Sequence, residues 1–108
     1  MKAIIPASLQ AIHDAWHFTP AVIDGDYLRC SGMIGLRPDF TVPEDPAEQF
    51  TLAFENQREL LAEAGCTYAD VVELTSYHVG LRAHAEVFMA VPGALVEIRA
   101  VARLNVAI

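Results

Sequence analysis

Leu95-Val96-Glu97-Ile98-Arg99-Ala100-Val101-Ala102-Arg103-Leu104 alternates with a period of two. Val96, Ile98, Ala100, Ala102 and Leu104 form one apolar face, while Glu97, Arg99 and Arg103 fall on the other. Successive side chains of a strand point to opposite faces of its sheet, so this pattern predicts a strand with one face on a core. The other face carries charge and cannot be a second dry core. The remaining elements have to be arranged around this strand.

Working upstream, Pro92-Gly93 forces a break and Arg82 to Val91 reads as a short helix. Val71 to Val79, rich in β-branched and aromatic residues, reads as a strand entered through the capping turn Thr67-Tyr68-Ala69-Asp70. The clearest helix runs from Pro46 to about Ala64. Asp45 suits its N-cap, Pro46 its first position and Glu48 a capping box. Phe50, Ala53, Phe54, Gln57, Leu61 and Ala64 recur at helical spacing, and Gly65 is a natural stop. Further upstream, Ala21-Val22-Ile23 and Tyr27-Leu28-Arg29-Cys30-Ser31 flank Asp24-Gly25-Asp26, a strong hairpin signal. Gly32 and Gly35 then interrupt the second strand, which suggests a bulge or a close approach to the backbone. The order strand-strand-helix-strand-helix-strand predicts an α+β sandwich, a mixed β-sheet with two helices packed on one face.

The length of 108 residues suits one domain. With 54% hydrophobic and 19% charged residues, the chain is apolar for its size, as expected if another subunit covers part of its surface. A closed ring of identical subunits would cover the charged sheet face. The net charge of -7, with Lys2 as the only lysine and the arginines scattered, argues against nucleic acid and anionic membrane surfaces as partners. Cys30 and Cys66 lack the spacing of a zinc site. The opening MKAIIPASLQAIHDAW lacks the apolar run of a signal peptide, and no stretch approaches a membrane span, so a cytoplasmic location with reduced thiols is expected.

Phe18-Thr19-Pro20-Ala21-Val22 with Gly25-Asp26-Tyr27-Leu28 and Ser31-Gly32 resembles the opening of the RidA/YjgF family, whose older label is endoribonuclease L-PSP. Ala53-Phe54-Glu55-Asn56, Leu60-Leu61, Ala64-Gly65, Asp70-Val71-Val72 and Gly93-Ala94-Leu95-Val96-Glu97-Ile98 continue the likeness in order. Trp16-His17-Phe18, Ala64-Gly65-Cys66-Thr67 and Ser76-Tyr77-His78 look closer to a divergent, YjgH-like branch. The resemblance implies a chorismate-mutase-like fold and a homotrimer with clefts between subunits. It implies hydrolysis of small reactive enamines or imines to ketone and ammonia, with no metal or organic cofactor.

From the family pattern, Glu97 and the backbone at Gly32 would position the attacking water, and Phe18, in place of a tyrosine, would close the cleft. His17 and His78 are added as cleft lining. The family's carboxylate-binding arginine has no counterpart, because a strand-loop segment of roughly twenty residues is missing between Val91 and Pro92. That join in the single domain 1–108 is expected to be a gap. Each residue also has a plainer reading. Glu97 could be an interface charge paired with Arg99 or Arg103, and a lone histidine is more often a structural hydrogen-bonder. Cys30 reads as structural, since no positive neighbour lowers its pKa, and so does Cys66, since it follows a helix C-terminus whose dipole disfavours a thiolate. Two further function classes stand beside the enzyme: a non-catalytic metabolite-binding trimer, and a nuclease, which the charge disfavours.

Overall fold

The computed structural model describes residues 1–78 and 96–104. The strands are β1 (Lys2–Ile4), β2 (Ala21–Asp24), β3 (Tyr27–Cys30), β4 (Val71–His78) and β5 (Val96–Arg103); the helices are α1 (Gln10–Trp16), preceded by a 3₁₀ turn at Ala7–Leu9, and α2 (Pro46–Glu63). The five strands form one sheet in the order β1-β2-β3-β5-β4. Every pairing among them is antiparallel, where the sequence reading expected a mixed sheet. The helix expected over Arg82 to Val91, the break at Pro92-Gly93 and the join at Val91–Pro92 lie outside the described residues.

Local chemistry accounts for the best-defined elements. The two-residue loop Gly25-Asp26 joins β2 to β3, with Gly25 at φ 61, a conformation glycine adopts without steric cost. At the start of α2 the Asp45 carboxylate accepts from the Glu48 N–H at 3.3 Å, with Pro46 in the first turn. At its end Gly65, at φ 77, lets the Cys66 N–H reach the Leu61 carbonyl at 2.8 Å and the Gly65 N–H reach Ala62 at 2.9 Å, a Schellman motif. Thr67 and Asp70 form a reciprocal capping box that leads the chain into β4.

Register pairs β5 with its neighbours so that Val96, Ile98, Ala100 and Ala102 face one way, together with Leu28, Cys30, Ala21 and Ile4. These are buried in one cluster with Ala53, Leu60 and Leu61 of α2 and with Leu9 and Ile12 around α1. Both helices thus pack on the same face of the sheet. The other face carries Glu97, Arg99, Val101 and Arg103 of β5, opposite Tyr77, Thr75, Arg29 and Tyr27. There Arg29 pairs with Asp24 at 3.0 Å, both exposed.

Two details differ from the sequence reading. The helix α1 and strand β1 were not anticipated. The buried stripe of α2 is Gln49, Ala53, Gln57, Leu60 and Leu61, rotated away from Phe54, which is 39% exposed. The loop before the helix causes this rotation. The Gln49 backbone lies against Gly35, where any side chain would clash, and the Gln49 amide donates to the Pro43 carbonyl at 2.6 Å. Phe54 instead stacks at 6.2 Å on Tyr68, whose hydroxyl donates to the Phe54 carbonyl.

Gln57 is fully buried, and neither atom of its amide has a hydrogen-bond partner among the described residues. An unmatched buried amide costs about 1–3 kcal/mol. Gln57→Met, of similar length, is therefore expected to raise stability by about 1–3 kcal/mol, measured as a higher urea midpoint at unchanged slope. A midpoint at or below that of the native chain would mean that the amide is satisfied.

Candidate functional site

Where β3 ends, the chain does not leave the sheet at once. Arg29 pairs with Val101, but Met33 pairs with Ile98, so the β3 side holds one residue more than β5 over this stretch. The extra residue makes a bulge around Ser31-Gly32, in keeping with the glycine interruption seen in the sequence. Met33 is bound to Ile98 through both backbone groups, at 2.6 and 2.8 Å. Ser31 anchors the preceding segment: its N–H donates to the Pro20 carbonyl at 2.8 Å and its hydroxyl to the Thr19 carbonyl at 2.6 Å. That strap holds Phe18 against the core.

Beside the bulge lies a cavity of about 180 Å³ lined by Leu9, Ile12, Trp16, Phe18, Gly32, Met33, Ile34, Leu36, Asn56 and Glu97. It brings Phe18, Gly32 and Glu97 together. The three atoms nearest to a methyl built on Gly32 are all from Glu97, its Oε1, Cδ and Cγ. The carboxylate thus occupies space that any other residue at 32 would claim. Glu97 is half-buried and is the one ionisable side chain among the described lining residues.

His17 and His78 do not line this cavity. His17 caps α1 in the left-handed region, φ 52, and is exposed; its sequence neighbours Trp16 and Phe18 do line the cavity. His78 follows Tyr77, the residue paired with Glu97, so strand alternation sends it to the opposite face. There its Nε2 lies 3.0 Å from the Ser76 hydroxyl and its ring 5.9 Å from Phe50.

The sequence reading did not single out Asn56, whose amide donates at 3.1 Å to both the Ile34 and the Leu36 carbonyls and so fixes one wall. A polar residue between the apolar positions of α2 was the available signal. Trp16 forms the rim, 48% exposed and 5.4 Å from Phe40. Cys30 is buried away from the cavity lining, and burial, followed by the nearby Cys66, pushes its thiol up to about 11, so it is no nucleophile at neutral pH.

The family model described as Endoribonuclease L-PSP matches residues 8–91. The chain belongs to this family, the RidA/YjgF family. It is 38% identical over 76 residues to the RutC family protein YjgH of Escherichia coli (strain K12), a match over 70% of this chain and 58% of that protein's length. The solved structure of protein YjgH superimposes with a TM-score of 0.82 at 30% identity, covering 98% of each chain. RidA from the Antarctic bacterium Psychrobacter sp. PAMC 21119 superimposes at 0.67, with 25% identity over 81% of this chain and 88% of that one. The RidA/YjgF fold and the YjgH likeness read from the sequence are thereby shown. Among the described residues that line the cavity there is no arginine, and the join at Val91–Pro92, where the family's carboxylate-binding arginine was expected to be missing, lies outside the described residues.

Gly32→Ala is expected to push the Glu97 carboxylate aside and lower stability by about 1 kcal/mol or less, below the usual cost of overpacking, because the group that must yield is the end of a flexible, half-buried side chain. Truncating Glu97 to Ala in the same chain should recover most of that loss, because it removes all three of the nearest atoms. Denaturation of both single variants and the double variant gives the coupling, and simple additivity would place the strain elsewhere.

Proposed function

We propose that the cavity hydrolyses small reactive imines or enamines to the ketone and ammonia. The observation that carries this reading is the Glu97 carboxylate set against Gly32 in a cavity closed by Phe18, in a chain of the RidA/YjgF family. A protonated imine is already electrophilic, so the chemistry asks for little beyond a held substrate and an oriented water. Glu97 accepts a proton as water adds to the imine carbon, giving a carbinolamine. Returning that proton to nitrogen lets the C–N bond break and ammonia leave, and the Glu97 carboxylate takes the hydroxyl proton as the carbonyl forms. The scheme needs neither metal nor organic cofactor.

The same reading includes a homotrimer and a cytoplasmic setting. The charged and aromatic sheet face around Arg99, Val101 and Tyr77 is a surface that a second subunit would cover, with clefts at its edge. The buried thiols Cys30 and Cys66 suit a reducing compartment. A metabolite-binding trimer without turnover is the second reading, favoured by the apolar lining of the cavity.

Glu97→Ala is expected to abolish ammonia release from imines generated in situ by an amino-acid oxidase, with the fold retained. Unchanged turnover would leave Glu97 an interface charge, and saturable binding without release by the native protein would favour the binding module. Light scattering at micromolar concentration should give three times the chain mass; a monomer mass sinks the trimer.

A further inference from the structure

We infer that Asn56 is a positioning residue: by tying the loop after Gly32 to α2 it holds the bulge on β5, and with it the space that the Glu97 carboxylate occupies. This rests on Glu97 and Gly32 being the heart of the site, and not on hydrolysis taking place there.

The tie is specific in its geometry. The Asn56 amide nitrogen donates at 3.1 Å to the Ile34 and the Leu36 carbonyls, so both of its hydrogens are committed. An amide oxygen in that place would face two carbonyl oxygens, which fixes the orientation of the group. The two acceptors belong to the residues on either side of Gly35, and Gly35 itself lies against the Gln49 backbone with no room for a side chain. Gln49 and Asn56 are seven residues apart, about two turns of helix, and so share a face of α2. Three consecutive loop residues are thus seated on one helix face, two by hydrogen bonds and one by close packing.

The loop leads directly to the bulge. Ile34 follows Met33, whose N–H and carbonyl are both bonded to Ile98, the residue after Glu97. On the other side of Gly32, Ser31 is bonded to Pro20 and Thr19. Gly32 therefore sits between two anchored neighbours, and Asn56 fixes the direction in which the chain leaves the second. A loop released from α2 pulls on the Met33–Ile98 pair and turns Gly32 relative to Glu97. The core does not depend on the tie in the same way. Ala53, Leu60 and Leu61, all fully buried, hold α2 to the sheet, whereas Asn56 is half-buried. Its loss loosens the bulge locally and leaves the packed interior standing.

Amide hydrogen exchange of the full chain, followed by NMR, tests this with Asn56→Leu and Asn56→Asp. Both resemble asparagine in shape, neither can donate, and only the second adds charge, so agreement between them removes charge as the cause. The Met33 amide should exchange at least about tenfold faster than in the native chain, while the core amides of Leu28 and Leu61 change by less than about threefold. The Glu97 carboxyl carbon resonance in Asn56→Leu should move toward its position in Gly32→Ala, where the side chain is displaced outright. An unchanged Met33 amide or an unmoved Glu97 resonance overturns the inference by making the tie idle. Equal acceleration at Met33, Leu28 and Leu61, or failure of both variants to fold, overturns it by making Asn56 a general support of the fold. The hydrolysis reading fails separately: a native chain that releases no ammonia, with Met33 loosened and Glu97 displaced in the variants, retains this inference and refutes that one.

Discussion

Strand alternation puts Glu97 on the charged face of the sheet, beside Arg99 and opposite Tyr77. Left there, it would be an ordinary surface carboxylate. The absent side chain at position 32 changes its place, because Glu97 can lie across the end of β3 where a Cβ would otherwise stand. The bulge before Met33 brings Gly32 to that point, and the paired hydrogen bonds between Met33 and Ile98 hold it there. Residue 98 is fully buried in the core, so the position of the carboxylate is tied to the most tightly packed part of the molecule. The cavity, its charge and its proposed chemistry all depend on this one contact.

The walls follow from the same economy. Ser31 ties back Thr19 and Pro20, which sets Phe18. Asn56 reaches out of α2 to fix Ile34 and Leu36. The site is thus assembled by side chains that bond backbone carbonyls of loops, while the carboxylate is set by the sheet. Loops held in this way keep a defined cavity without being part of a regular element. Gln57 shows the contrary case: a polar side chain in the core with no such carbonyl to bond among the described residues.

How much of this could be read beforehand varied with the range of the interaction. The Asp-Gly hairpin, the capped helix from Pro46 and the alternating strand at Val96–Arg103 rest on contacts within a few residues, and each appeared close to its expected place. The stripe of α2 was misjudged at Phe54 because the loop at Gly35, fourteen or more residues away in sequence, decides which face is covered. Helix α1 has seven residues and only Ile12 buried, too weak a periodicity to stand out. At the site, Gly32, Glu97 and Phe18 were legible through family likeness and an interrupted strand. His78 was not, since its adjacency to a residue opposite Glu97 is a matter of register, and one step along a strand reverses the face.

That reversal also bears on what the two sheet faces can do. The helix-covered face is filled by small and aliphatic residues, Ala21, Leu28, Ile98, Ala100 and Ala102, all buried, and leaves little room for a ligand at its centre. The opposite face is flat and mixed, with Arg29 and Asp24 already paired. Between them, the end of β3 is where the apolar interior meets the charged face through a missing side chain. In the described structure that meeting point is the space between Gly32, Phe18 and Glu97. A site placed there inherits rigidity from the core and its carboxylate from the open face.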